Sequence, residues 1–245
     1  MAIARTEHRP WPLPTRPWVG RQSWCDLLFA HWPVPAAAVR PLVPPALDVQ
    51  EFGGTSWVGV VPFRMEDVML RGLPALPWLS AFPELNVRLY VEYAGKPGVW
   101  FLSLDASSRL AVWGARRVFS LPYFHARMRV ARRGEWIAYA SHRREAPPAA
   151  LEATYRPTSA PAEPAPGTLE HFLTERYCLY ALLPDGTLRR TEIHHPPWPL
   201  QRAEAEIAHN AMLAPAGVPA GEGEPLLHFS RRQDVVVWAP VPVEA

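Results

Sequence analysis

The sequence predicts a mainly β, α+β chain: a large curved antiparallel sheet or barrel with a few short helices. Three observations carry that expectation. Pairs of strand-length segments repeatedly flank tight turn signals, one stretch alternates polar and apolar residues, and helical patterns are few. A flat sheet of so many strands would leave costly edges, so curling or closure is expected.

In chain order, Pro35 to Leu42 is Ala-rich and begins with proline, which suits a first helical turn. Trp57 to Phe63 is an apolar run of strand length. Leu85, Val87, Leu89, Val91 and Tyr93 then alternate with Glu84, Asn86, Arg88 and Glu92, the signature of a strand with two different faces. Val99 to Asp105 follows the turn Gly95-Lys96-Pro97-Gly98 and completes a hairpin. Arg127 to Ala131 and Trp136 to Ser141 flank 132–135 as a second hairpin. Residues 145–167, rich in Pro and Ala, read as a surface loop within a single domain spanning 1–245. Thr168 caps a helix over Leu169 to Arg176. Tyr177 to Leu183 and Leu188 to His195 form a third hairpin around Pro184-Asp185-Gly186-Thr187. Pro199 opens a helix through Met212, with Leu200, Ala203, Ile207 and Ala211 as its stripe. Leu226 to Ser230 and Val235 to Ala239 form a fourth hairpin around Arg231-Arg232-Gln233-Asp234. No internal repeat is evident.

Composition excludes several classes. The 245 residues carry a formal net charge of +2, too little to capture nucleic acid or acidic lipid electrostatically. No apolar block reaches transmembrane length. The first residues lack the apolar core of a secretory signal, so the expected location is cytoplasmic, with Cys25 and Cys178 reduced. Of 25 basic residues only Lys96 is a lysine, and the 30 prolines make up about 12%, against a usual ~5%. Phosphate-binding glycine loops, a GxSxG nucleophile elbow and an HExxH zinc motif are all missing from the sequence. No cofactor and no metal are expected. The expected partner is a small-molecule ligand, with neither nucleic acid nor membrane, and self-association is left open.

Three constellations stand out. Glu84, Asn86 and Arg88 share one strand face, and a carboxylate and a guanidinium converging on a cavity would suit a small polar ligand; facing water, they would be only a solvated face. Tyr123, His125, Arg116 and Arg127 lie around the Pro122 bend. His194 and His195, adjacent on a strand, point to opposite faces, so they do not ligate one metal together; at most one reaches a shared cavity. A histidine bonded to backbone near a Pro-rich bend explains them as well as an acid/base role does.

Several strings together resemble one family. They are Trp24 to Pro35, Trp57 to Phe63, Gly72-Leu73-Pro74, Phe82 to Arg88, Glu175-Arg176-Tyr177 and His194 to Leu200. They look like the YqjF-like family of uncharacterised bacterial proteins (domain of unknown function 2071), and the likeness covers most of the chain. That family is distantly similar to acetoacetate decarboxylase, with local echoes at Leu42 to Val49, Phe82 to Arg88 and Leu110 to Phe124. The resemblance implies an acetoacetate-decarboxylase-like fold whose curved sheet wraps a pocket. It also implies a pocket glutamate near Glu84 and a reactive lysine following the proline of Leu121-Pro122-Tyr123-Phe124. This chain carries Tyr123 there and no lysine.

The reading that follows is a β-barrel pocket for a small anionic or carbonyl-bearing molecule. Its candidate substrate-binding residues are Glu84, Arg88, Tyr123, His125, Arg176, His194 and His195, with no catalytic residue assigned. Acid/base catalysis, non-catalytic ligand binding and structural assembly remain alternatives. Schiff-base lysine chemistry is not expected, because arginine cannot supply a neutral amine.

Overall fold

A computed structural model describes residues 4–72, 80–219 and 223–243. Leu73 and Pro74, part of one string that carries the family resemblance, lie outside the described residues. Thirteen strands form one sheet in the order β13-β10-β9-β5-β6-β7-β8-β11-β12-β1-β3-β4-β2. In chain order they are β1 (Gly20–Val34), β2 (Asp48–Val49), β3 (Ser56–Leu70), β4 (Phe82–Tyr93), β5 (Lys96–Ala106), β6 (Tyr123–Arg133) and β7 (Trp136–Arg143). After these come β8 (Ala150–Pro157), β9 (Cys178–Leu182), β10 (Leu188–His194), β11 (Gln201–Asn210), β12 (Leu226–Val237) and β13 (Val241–Pro242). Two further pairings, β10 with β12 and β5 with β4, make the sheet double back on itself, which gives long inner strands partners on both sides.

The first three expected hairpins form, with longer strands than their apolar runs alone mark. Thr168 caps α3 (Leu169–Thr174) by accepting the His171 N–H, and the Ala-rich stretch gives α1 (Ala36–Val39) followed by a 3₁₀ turn at Arg40–Leu42.

Four expectations are corrected. The sheet is mixed: β5 runs parallel to β6 and to β9. Parallel neighbours need a crossover, and α2 (Arg109–Phe119) supplies it between β5 and β6. Ser108 caps α2 by accepting the Ala111 N–H, and Ser120 ends it in the left-handed region at φ 54°. Second, the helix expected from Pro199 through Met212 is the strand β11. Ala203, Ala205 and Ile207 alternate with Glu204 and Glu206 at period two, and β8 offers it an open edge from Ala203↔Pro157 to Asn210↔Leu151. Third, 145–167 is no continuous loop, because Leu151, Ala153 and Tyr155 of β8 bury one face within it. Fourth, Arg231-Arg232-Gln233-Asp234 is no turn: β12 runs straight through, lacking Gly or Pro there and paired with β1 as far as Gly20↔Val237.

One kink matters for the site. Asp26 sits at φ 50° in β1, held by Arg64 (2.9 Å) and Arg231 (2.8 Å) on its two carboxylate oxygens. The kink shifts the strand's parity, so Trp24 and Leu27, three apart, face the same apolar cluster with Phe29, Val61, Phe63 and Trp198. The larger core lies on the other side of β4, around Leu85, Val87, Leu89 and Val91.

Tight packing where β5 meets β9 leads to a test. A Cβ on Gly98 would stand 2.8 Å from the Cys178 carbonyl oxygen and 2.7 Å from the Tyr180 ring. Gly98→Ala is expected to lower unfolding free energy by about 1–3 kcal/mol in urea titration, because a backbone atom cannot swing aside.

Candidate functional site

Strand β4 is buried on both faces. Glu84, Asn86, Arg88 and Tyr90 line the face opposite the large core, and none exceeds 8% exposure. Burying such groups is costly unless each finds a partner, so the partners define the site.

At one end, Tyr123 at the start of β6 donates its hydroxyl to Glu84 Oε2 at 2.9 Å. Tyr139 of β7 donates to the Glu84 carbonyl at 2.7 Å. Tyr123 is brought there by the parallel register Leu104↔Tyr123, Leu104 itself pairing with Asn86. Burial pushes the Glu84 carboxyl up to about 8; the Tyr123 hydrogen bond opposes the rise, and Asp105 adds to it. At neutral pH Glu84 is therefore largely the carboxylic acid, with its Oε1 bonded by no described residue. Burial, with Glu84 adding to it, pushes the Tyr123 phenol well above its ordinary value, so it stays a donor.

At the other end, two guanidiniums converge on Tyr90. Arg88 Nε donates to the Tyr90 hydroxyl at 3.1 Å, and Arg88 lies 5.1 Å over the Phe29 ring. Arg176, just beyond α3, lies 5.0 Å over Tyr90 and 4.3 Å over Phe172, donating to the Phe172 carbonyl at 2.6 Å and to Gln50. Among the described residues no carboxylate pairs with either one directly; Glu92 reaches Arg176 only through Gln50. Burial lowers Arg176 to about 10, with Arg88 adding to the fall, so Arg176 remains a cation at neutral pH. His31 Nε2 meets the Tyr90 hydroxyl at 2.6 Å. The other ring nitrogen, Nδ1, is buried without a partner among the described residues. Desolvation, with Arg88 nearby, holds this imidazole well below its usual range.

His194 and His195 both lie against the Tyr177 ring, at 6.3 and 4.7 Å between ring centres, but their other neighbours differ. His195 Nε2 donates to the Arg176 carbonyl at 3.2 Å and its Nδ1 meets Gln233 at 3.1 Å, placing it behind Arg176. His194 stands 5.5 Å from the ring of His8, on the side of the N-terminal segment, and burial lowers it to about 4. His125 is not brought to this face. Its backbone N–H donates to Glu145, and no described contact joins its ring to Glu84 or Arg88. Lys96 is half-buried beside Glu192 (3.6 Å) and Trp11, across from Tyr93 in the β4–β5 register, and no described contact joins it to Glu84 or Arg88. Sequence reasoning missed His31, Tyr90 and Tyr139. Tyr90 was visible in the parity of β4, and His31 lies within the Trp24 to Pro35 string. Nothing local marks Tyr139, which reaches Glu84 only through the fold.

Among the described residues no group of three His, Cys, Asp or Glu converges to hold a metal. No described helix is long and apolar enough to cross a membrane. An open groove of about 410 Å³ runs between β6, β7, β8 and β11, lined by Arg129, Ala140, Glu152 and Glu206 among others, and none of the candidate residues lines it.

Comparison with known proteins agrees with this architecture. The model of DUF2071, an uncharacterized conserved protein, matches residues 21–234. The uncharacterized protein YqjF of Bacillus subtilis (strain 168) is 47% identical over 221 residues, 90% of this chain and 91% of its own length. The acetoacetate decarboxylase of Legionella pneumophila superposes with a TM-score of 0.64 at 16% identity, over 96% of this chain and 92% of its own. MppR, an enduracididine biosynthesis enzyme solved with pyruvate, gives 0.67 at 11% identity, over 99% and 96%. An acetoacetate decarboxylase-like enzyme from Sphingomonas wittichii RW1 gives 0.64 at 14% identity, over 97% and 98%. At such identities these likenesses show the fold, which is acetoacetate-decarboxylase-like, and nothing finer.

The buried carboxyl makes stability depend on pH. The folded Glu84 value, about 8, lies above the ordinary carboxyl value of 4.5, so its contribution is full below the ordinary value and lost as pH rises towards 8. His31, His194, His195 and His228 are all lowered, so theirs is present above the ordinary imidazole value and lost on acidification. Above pH 7 the Glu84 slope should therefore dominate. Glu84→Gln is expected to flatten the alkaline limb and to gain about 1–3 kcal/mol over the parent chain at high pH, relative to their difference in mild acid. Denaturant melts across pH measure it.

Proposed function

The chain belongs to the DUF2071 family of uncharacterized conserved proteins, and from that premise we propose that it binds a small carbonyl-bearing anion along the buried polar face of β4 and moves a proton there. The observation that carries this reading is the Glu84–Tyr123 pair: a buried carboxyl and phenol at 2.9 Å, the carboxyl tuned to about 8. A general acid/base works best when its pKa lies near the working pH. A small ligand suits the fold, since MppR, which shares it, is solved with pyruvate. The chain acts as a single domain, 1–245, in the cytoplasm.

In this mechanism the ionised Glu84 takes a proton from the carbon beside the ligand carbonyl. The C–H electron pair moves to the carbonyl oxygen and gives an enolate. Glu84 is now the acid, and the Tyr123 hydroxyl turns from it to donate to the enolate oxygen. Arg88 and Arg176 hold the anionic group of the ligand. His195 positions Arg176 by binding its carbonyl, and no imine to lysine takes part.

Deuterium exchange into a panel of keto acids of graded chain length, short to long, followed by proton NMR in heavy water, tests the proposal. The parent chain should accelerate exchange at one carbon, with a rate rising as Glu84 ionises through about 8. Glu84→Gln should cost roughly 10²–10⁴-fold and Tyr123→Phe less, with folding checked by circular dichroism. Exchange at the buffer rate for every acid, or exchange indifferent to Glu84→Gln, would sink the proton-transfer role. Borohydride trapping with acetoacetate should leave the intact mass unchanged; an adduct on Lys96 would overturn the exclusion of Schiff-base chemistry.

A further inference from the structure

Resting on that reading, we infer that the ligand is an elongated, two-headed molecule: a carbonyl end at Glu84–Tyr123 and a separate carboxylate end between Arg88 and Arg176. The inference follows from where the two poles of the face lie. Glu84 bonds across to Tyr123 at the level of Leu104 and Asn86. Arg88 leans the other way, donating to Tyr90 two residues further along the strand, where Arg176 also lies against the Tyr90 ring. Four residues of strand separate the poles, about 13 Å at ~3.3 Å each. A compact 3-oxo acid has its carboxylate one carbon from its carbonyl and cannot touch both.

The charge at the far pole argues in the same direction. Arg88 and Arg176 are 8% and 5% exposed, and among the described residues they share no direct carboxylate. Arg88 Nη1 and Arg176 Nη2 have no hydrogen-bond partner among those residues. Buried cations in that condition are costly unless an anion completes them. Between the poles Asn86 is buried with Oδ1 unpartnered, a polar atom left for a group midway along the ligand. Room at the cationic pole comes from Gly59, directly across from Arg88 in β3. A Cβ there would stand 3.1 Å from the His31 imidazole and 3.3 Å from Arg88 Cγ, so glycine is what lets both side chains lie where they do.

The test is a binding series on the full chain by isothermal titration. Its probes are linear methyl-ketone carboxylates, from acetoacetate through levulinate to chains with about eight methylenes, each adding roughly 1.3 Å of the 1.5 Å bond as projected length. Affinity should rise at least tenfold from acetoacetate to an optimum among the longer chains. Arg88→Gln and Arg176→Gln should remove the rise with length, and a neutral long methyl ketone should bind the parent chain at least tenfold more weakly than the acid of the same length. Gly59→Ala, which alters no charge, should lower the affinity of the long acids by displacing Arg88. Affinity that is flat with length, or greatest for acetoacetate, overturns the inference, and because the parent chain alone reads it, a misfolded variant cannot hide that result. The two proposals also fail separately. Glu84-dependent exchange without length preference keeps proton transfer and rejects the two-headed ligand. Length preference without exchange on any acid does the reverse.

Discussion

The rest of the structure depends on the double burial of β4. A strand buried on both faces is ordinarily apolar throughout, because a polar inner face has to recover each hydrogen bond it loses to water. Here Leu85, Val87, Leu89 and Val91 fill one face in the usual way, while Glu84, Asn86, Arg88 and Tyr90 are buried on the other. Satisfying them draws in residues from distant parts of the chain: Tyr123 and Tyr139 for Glu84, His31 for Tyr90, and the Leu173 carbonyl for Arg88. A sheet that doubles back is the arrangement that can deliver hydrogen-bond partners from β1, β6 and β7 to one strand.

Behind this face stands a second layer, built largely by the segments that carry the family resemblance. Glu175 accepts the Trp198 N–H at 2.9 Å and the Tyr177 hydroxyl, and Tyr177 stacks on His195 at 4.7 Å between ring centres. His195 in turn binds the Arg176 carbonyl. From the other side Arg9 forms a buried ion pair with Glu192 at 2.7 Å and donates to the Ile193 carbonyl, which fixes the strand end that leads into His194 and His195. Of the two histidines it is His195 that bears on Arg176, by holding its backbone carbonyl. The guanidinium itself is held by the Phe172 carbonyl, by Gln50 and by the faces of Tyr90 and Phe172.

Much of this was legible because β4 obeys parity. Alternation alone placed Glu84 and Arg88 together. The failures share a cause: the decisive partner lies far off in sequence. Ala203 and Ile207 fit a helical stripe as well as a strand face, and only the open edge of β8 selects the strand. Arg231 to Asp234 look like turn residues until Asp26, more than two hundred positions away, binds Arg231. The Pro- and Ala-rich stretch hides β8 because Leu151, Ala153 and Tyr155 are spaced by small or polar residues that only the outer face exposes. α2 went unread because Gly114 and two arginines blur its apolar side, although Ser108 is an ordinary cap. His125 shares the parity of Tyr123, yet its described contact is the backbone N–H donated to Glu145.

Tyr123, at the position where the family resemblance implies a reactive lysine, changes which group titrates. A buried lysine sheds its proton to become a nucleophile, and a nearby glutamate would then serve that amine. A buried phenol does the opposite: desolvation raises its pKa further, so it keeps its proton and only donates. Its hydrogen bond stabilises the ionised Glu84, which offsets part of the burial penalty and brings the carboxyl back to about 8. Without that donor the acid would stay protonated through the neutral range and beyond, useless as a base. With a lysine ammonium instead, the carboxyl would be fully ionised and no longer an acid. The phenol leaves Glu84 between those limits, where one carboxyl can both take and return a proton.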